Sequence, residues 1–96
     1  MKIEKKLDDG NLTIKVEGRL DTNTSPELED EMNLDGVSKL VFDFSELEYI
    51  SSAGLRVLLA AHKTMSKKGG MKLKNVGDDI MEIFEVTGFS DILDIE

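Results

Sequence analysis

The run Leu40-Val41-Phe42-Asp43-Phe44 is nearly continuous in apolar side chains. Such a run suits a strand that is covered on both faces or lies inside a parallel sheet, so an interior strand is expected here. The flanking segments carry other periods. Leu12-Thr13-Ile14-Lys15-Val16-Glu17 places an apolar residue at every second position, as a half-buried strand requires. Lys2 to Leu7 reads as a weaker strand before it, and Asp9-Gly10 between them supplies residues that tolerate positive φ, which predicts a hairpin. Residues Gly18 to Thr24 then form a polar loop. Ser25-Pro26 has the form of an N-cap followed by proline at the first helical position, which predicts a short helix from about Pro26 to Met32. Its Glu27, Glu29, Asp30 and Glu31 suit the positive end of a helix dipole better than a metal site.

After the interior strand, Leu55, Leu58, Leu59, His62 and Met65 recur at three-and-four spacing, so Ser52 to about Lys67 is expected to be the longest helix. Lys67-Lys68-Gly69-Gly70 ends it, because cations suit the C-terminus and glycine suits a left-handed cap. Met71 to Val76 alternates again. Asp78-Asp79 can cap a third helix through about Thr87, Gly88 stops it, and Ile92 to Ile95 adds a last short strand. Strands separated by helices imply crossover connections. The expected fold is one α/β domain: a mixed, mostly parallel sheet of four to five strands, an N-terminal antiparallel hairpin and about three packed helices.

Composition narrows function by exclusion. The chain has 96 residues, with 20 acidic against 12 basic and a formal charge of −8, which disfavours nucleic acid and anionic membranes as partners. The absence of cysteine excludes disulfides, thiolate catalysis, iron–sulfur clusters and cysteine-ligated zinc. With a single histidine, His62, mid-helix beside the apolar stripe, no triad or histidine metal cage is indicated, and no cofactor or enzymatic activity is expected. The N-terminus lacks the apolar core of a signal peptide and no stretch is long enough to span a bilayer, so a cytoplasmic location is expected. Phe42, Phe44, Phe84 and Phe89 fall in apolar runs as core or flanking residues; Tyr49, next to the loop before the longest helix, reads as core edge, with an exposed partner anchor as the alternative.

In sheets of this type, function gathers at loops where strands hand over to helices, here Arg19 to Ser25 and Glu46 to Gly54. The second ends in two hydroxyls, Ser51 and Ser52, at a helix start. Two readings stand: an N-cap contributing about 1 kcal/mol, or a phosphate acceptor at the end of a helix whose free N–H groups and dipole favour an anion. Asp43 at a strand end raises a third idea, an aspartyl phospho-acceptor. That arrangement needs an early acidic pair for magnesium, and the corresponding strand ends in Glu17-Gly18.

Taken together, Gly18-Arg19-Leu20-Asp21, Ser25-Pro26-Glu27-Leu28, Leu40-Val41-Phe42-Asp43-Phe44-Ser45, Ile50-Ser51-Ser52-Ala53-Gly54-Leu55 and Val86-Thr87-Gly88-Phe89 resemble a STAS domain of the anti-sigma-factor antagonist type across residues 1 to 96. The resemblance implies a switch. The unphosphorylated antagonist binds an anti-sigma factor that is also a serine kinase, which frees the sigma factor; phosphorylation breaks the pair, and a PP2C-type phosphatase restores it. The acceptor it implies is the serine two residues before the motif glycine, Ser52, with Ser51 as second choice because many antagonists carry aspartate there. The partner surface it implies comprises Asp21, Thr22, Asn23, Thr24, Ser51, Ser52, Ala53, Gly54 and Arg56. Arg56 stands four residues after Ser52, on the same helix face, where it can partly neutralise a phosphoserine. STAS-like domains also serve as scaffold subunits of stress-signalling assemblies and as small subunits of lipid-transport ATPases, the alternative role for this fold.

Overall fold

The structure, a computed structural model, describes all 96 residues. The chain opens with β1 (Lys2–Asp8) and β2 (Asn11–Leu20), which pair antiparallel in the register Lys2↔Glu17 to Asp8↔Asn11. Asp9 (φ 50°) and Gly10 (φ 82°) make the two-residue connection, the left-handed turn that matches strand twist. Next come α1 (Ser25–Asp30), β3 (Lys39–Asp43), β4 (Leu47–Ile50), α2 (Ser52–Met65), β5 (Met71–Lys74), α3 (Asp78–Thr87), a 3-10 turn (Phe89–Asp91) and β6 (Asp94–Ile95). The strand order is β1-β2-β3-β5-β6, with β4 also paired to β2, and all pairings after the hairpin are parallel. The sheet therefore has six strands rather than four to five.

The added strand is β4, which the sequence pattern treated as connection. Its end residues Leu47 and Ile50 are buried while Glu48 and Tyr49 between them are exposed, so no alternation marks it. It exists because β2 outlasts β3. At Gly18 (φ 95°) the register of β2 shifts, and Arg19 and Leu20 pair with Tyr49 and Ile50 instead. Glycine carries that positive φ without a Cβ penalty.

One cluster of 22 buried residues forms the core. It takes Leu12, Ile14 and Val16 from β2, Leu40 and Phe42 from β3, Met71 and Leu73 from β5, and Leu28, Leu55, Leu58, Ala61, Met65, Ile80 and Phe84 from the helices. The opposite sheet face carries Thr13, Lys15, Glu17, Val41 and Asp43, all only half-buried. The helices thus share one face. β3 is interior in the sheet, between β2 and β5, but its second face is only partly covered. Phe42 and Phe44 pack with ring centroids 5.6 Å apart, Phe84 is fully buried and Phe89 is half-buried at the margin.

Several element ends depart from expectation. Gly18 to Leu20, read as the start of a polar loop, continue β2 because β4 pairs with them, and β5 stops at Lys74, short of Val76. α1 ends at Asp30, short of Met32, and is capped in position by Thr24, with Ser25 as its first residue and no side-chain cap bond. Asp78 and Asp79 lie inside the first turn of α3, and Gly77 takes the cap position, so these carboxylates act through the helix dipole. The last strand is only Asp94–Ile95, because Phe89–Asp91 coils first. Gly88 stops α3 as expected, left-handed at φ 82°, whereas α2 ends at Met65 with right-handed Ser66 in the cap position; the left-handed glycine comes later, at Gly70 (φ 94°), whose N–H donates to the Met65 carbonyl at 3.0 Å. His62 is half-buried on α2. No helix is long and apolar enough to cross a membrane.

Candidate functional site

The site forms where β2 and β4 end side by side. The Ser51 N–H donates to the Leu20 carbonyl at 2.9 Å, which ties the start of α2 to the strand that feeds the Asp21 loop. Gly54 makes the approach tight. A Cβ there would lie 2.8 Å from both Ile50 Cγ1 and Leu20 Cγ, side chains that are 2% and 0% exposed. Only glycine lets the first turn of α2 settle this deeply on the strand ends.

The loop is organised by Asp21. Its Oδ1 accepts from the Asn23 N–H at 3.0 Å and the Thr24 N–H at 3.1 Å, while its own N–H donates to Thr24 Oγ1 at 2.8 Å. The Thr24 hydroxyl donates to the Arg19 carbonyl at 2.6 Å, and the Ser25 hydroxyl donates to the Asp21 carbonyl at 2.5 Å. The hydrogen bond from the Thr24 backbone is the largest influence on the Asp21 carboxyl; with those from Asn23 N–H and the Thr24 hydroxyl, and the charge of Arg19, it outweighs desolvation and holds the pKa below the ordinary value. Ser25 is 3% exposed and Leu28 is fully buried, so α1 is anchored while Thr22 and Asn23 project into solvent.

Across the junction, the two serines have opposite environments. Ser51 occupies the N-cap position of α2 with extended backbone, yet it makes no side-chain cap bond, and its buried Oγ has no hydrogen-bond partner. The expectation that one serine caps α2 through its hydroxyl is therefore corrected: its backbone carbonyl accepts from Leu55 N–H at 2.9 Å, and the side chain turns inward. Ser52, the first residue of α2, is exposed. Ala53 is half-buried, Gly54 is buried, and Arg56 is exposed with no ion-pair partner. A groove of about 530 Å³ between α1 and α2 includes Thr22, Ser25, Ala53 and Arg56 in its walls, so the loop and the helix start share one surface.

Pattern reading did not single out the pairing of Arg19 with Tyr49. The Arg19 guanidinium lies 4.4 Å from the Tyr49 ring centroid, and its Nε is 3.8 Å from Asp21 Oδ2. Tyr49 is 37% exposed, an aromatic at the rim of the site. The only signal for this neighbour was the position of Arg19 in the Gly18-Arg19-Leu20-Asp21 segment; without β4 in view, nothing connected it to Tyr49. Asp43 lies at the end of β3. Desolvation raises its pKa, but bonds from Ser45 N–H at 3.0 Å and Asn75 Nδ2 at 3.1 Å, with Lys74 nearby, outweigh this and leave it lowered. It ties the ends of β3 and β5 together.

The site is thus a surface at one end of the sheet, where the hydrogen-bonded Asp21 loop and the exposed Ser52 hydroxyl flank the groove between α1 and α2. The chain belongs to the STAS domain family, whose model matches residues 2–96. It is 30% identical over 96 residues to the anti-sigma-B factor antagonist of Listeria monocytogenes, covering 96% of this chain and 84% of that protein. An anti-sigma factor antagonist from Mycobacterium paratuberculosis superimposes with a TM-score of 0.88 at 26% identity, covering 98% of this chain and 83% of that one. The Bacillus protein SpoIIAA shares the fold at a TM-score of 0.76 in both its unphosphorylated and phosphorylated forms, at 14% and 15% identity, covering 99% of this chain and 87% and 91% of those chains.

Proposed function

We propose that the protein is an anti-sigma factor antagonist, a binding switch that in its unphosphorylated state holds an anti-sigma factor with serine kinase activity and so releases the sigma factor. The kinase moves the γ-phosphoryl group of ATP to the Ser52 hydroxyl, and a PP2C-type phosphatase hydrolyses the ester. This takes place in the cytoplasm, where sigma factors act. The observation that carries the reading is the contrast at the start of α2, where Ser52 is exposed and the Ser51 hydroxyl is buried. That contrast favours Ser52 over Ser51 as acceptor. Asp21 to Thr24, Ala53 and Arg56 form the partner surface around it, while Gly54, expected there too, is buried and acts by seating α2; the likeness to the Listeria antagonist supports the same role.

The switch is electrostatic. Phosphorylation adds roughly −1.5 to −2 charge at pH 7. The free N–H groups and dipole of α2 stabilise that anion within the antagonist, and the unpaired Arg56 adds a cation one turn on. A partner face fitted to a neutral hydroxyl then meets a dianion that costs several kcal/mol to desolvate. The test is incubation with cognate anti-sigma kinase and ATP, followed by mass-spectrometric mapping and calorimetric titration of variants. Phosphate is expected on Ser52; Ser52→Ala retains binding, and Ser52→Asp loses at least about tenfold in affinity, about 1.4 kcal/mol, with an unchanged circular dichroism spectrum. Phosphate on Ser51, or full affinity in Ser52→Asp, overturns the reading.

A further inference from the structure

β1 lies at one edge of the sheet, paired on one side only. Its two-residue turn makes Asp8 and Asn11 the closing hydrogen-bonded pair, and the antiparallel alternation then points the backbone N–H and C=O groups of Ile3, Lys5 and Leu7 away from β2. Those groups form a seven-residue template for another strand. An edge bearing one sign of charge repels a copy of itself, but the edge here alternates: Lys2, Glu4, Lys5, Lys6 and Asp8 surround Ile3 and Leu7.

We propose that the β1 edge is a self-association surface on which a second copy of this chain docks antiparallel, centred on Lys5, to give a twofold dimer with one sheet running through both subunits. A twofold axis perpendicular to the sheet keeps equivalent faces together, so residues of like parity must face each other. Only the register centred on Lys5 then engages the strand over its full length. It sets Lys2 opposite Asp8 and Glu4 opposite Lys6, each twice, and Ile3 opposite Leu7. Sliding by two residues in either direction along the facing strand loses this match: one shift sets Lys2 against Lys6 and Glu4 against Glu4, the other Glu4 against Asp8 and Lys6 against Lys6.

The one like-charged pair in the favoured register is Lys5 against Lys5, and each Lys5 is already neutralised by Glu31 of its own subunit at 2.9 Å. Leu7, 64% exposed in the single chain, gains cover from Ile3 of the second copy. Because the paired strands run in opposite directions, the two Ser52 sites face opposite ends of the joint sheet and neither is covered. A contact of this size is weak and salt-sensitive.

The experiment is sedimentation velocity on the full chain at micromolar to millimolar concentration. The 10.7 kDa chain is expected to approach twice that mass as concentration rises, with the dimer weakening about tenfold or more between low and high salt. Lys2→Glu/Lys6→Glu and Glu4→Lys/Asp8→Lys should each be monomeric, and an equimolar mixture of the two should form a heterodimer, which also shows that both have folded. A wild type that stays monomeric throughout overturns the proposal. So does a dimer that survives Lys2→Glu/Lys6→Glu, or a mixture that fails to associate.

Discussion

Substituting Gly54 tests whether the seat of α2 is as tight as its geometry indicates. The glycine lies inside a helix without positive φ, so alanine is not strained there and intrinsic propensity alone favours it by up to about 1 kcal/mol. Packing opposes this. The added methyl meets Ile50 Cγ1 and Leu20 Cγ at 2.8 Å and Leu20 Cδ2 at 3.0 Å. Neither side chain has open space to retreat into, since Leu20 is 0% and Ile50 2% exposed. Overpacking of this kind costs roughly 1–3 kcal/mol, so the net expectation for Gly54→Ala is a loss of about 1 kcal/mol, or roughly 4–8 °C in melting temperature for a domain of this size. Thermal and urea denaturation followed by circular dichroism measure it. A double-mutant cycle locates the cause: Leu20→Ala removes two of the three contacting atoms, so in that background Gly54→Ala should cost less than it does alone. An unchanged or raised melting temperature for Gly54→Ala, or strict additivity with Leu20→Ala, would refute the argument that close approach dictates glycine here.

Ser51→Ala should raise stability by about 1 kcal/mol in urea denaturation, because it removes a buried hydroxyl that has no partner; a clear loss of stability would mean that the hydroxyl is satisfied in solution. The Asp21 loop should loosen in acid. Its carboxyl titrates below the ordinary 3.8, so its stabilising contribution is complete above that value and is lost as pH falls through the depressed folded pKa. Amide exchange at Asn23 and Thr24, read against Asp21→Asn, should show the protection disappearing as pH falls below the ordinary 3.8 only in the wild type.

Much of this architecture is legible in side-chain periods, because those periods report local burial. Leu12, Ile14 and Val16 mark β2, and the three-and-four spacing of Leu55, Leu58 and Met65 marks α2, since a single face of each is buried. β4 was hidden because its burial is decided by a distant strand: Leu47 and Ile50 are three apart, and only the register shift at Gly18 brings them under β2. The cap positions failed for a related reason. Thr24 and Ser25 spend their hydroxyls on the Arg19 and Asp21 carbonyls, so the Ser-Pro signature marks the helix but misplaces its start by one residue. At the site, spacing singled out both serines, but it carried no information on which hydroxyl turns inward. That distinction appears only in the tertiary packing, which leaves the Ser51 Oγ buried and Ser52 exposed.

β2 is the longest strand, with ten residues; from Asn11 to Lys15 it lies between β1 and β3, whereas its last residues, Gly18 to Leu20, pair with β4 alone. A segment with neighbours on both sides opens only when most of the sheet opens, so the amides of Asn11 to Lys15 belong with the slowest to exchange. At the other end of the strand, the Ser51–Leu20 bond ties the start of α2 to the residue that precedes the Asp21 loop. A phosphate on Ser52, if the proposed switch operates, would be added to a hydroxyl already exposed at the start of a helix tied to β2, so the modification would need no refolding step to reach its acceptor.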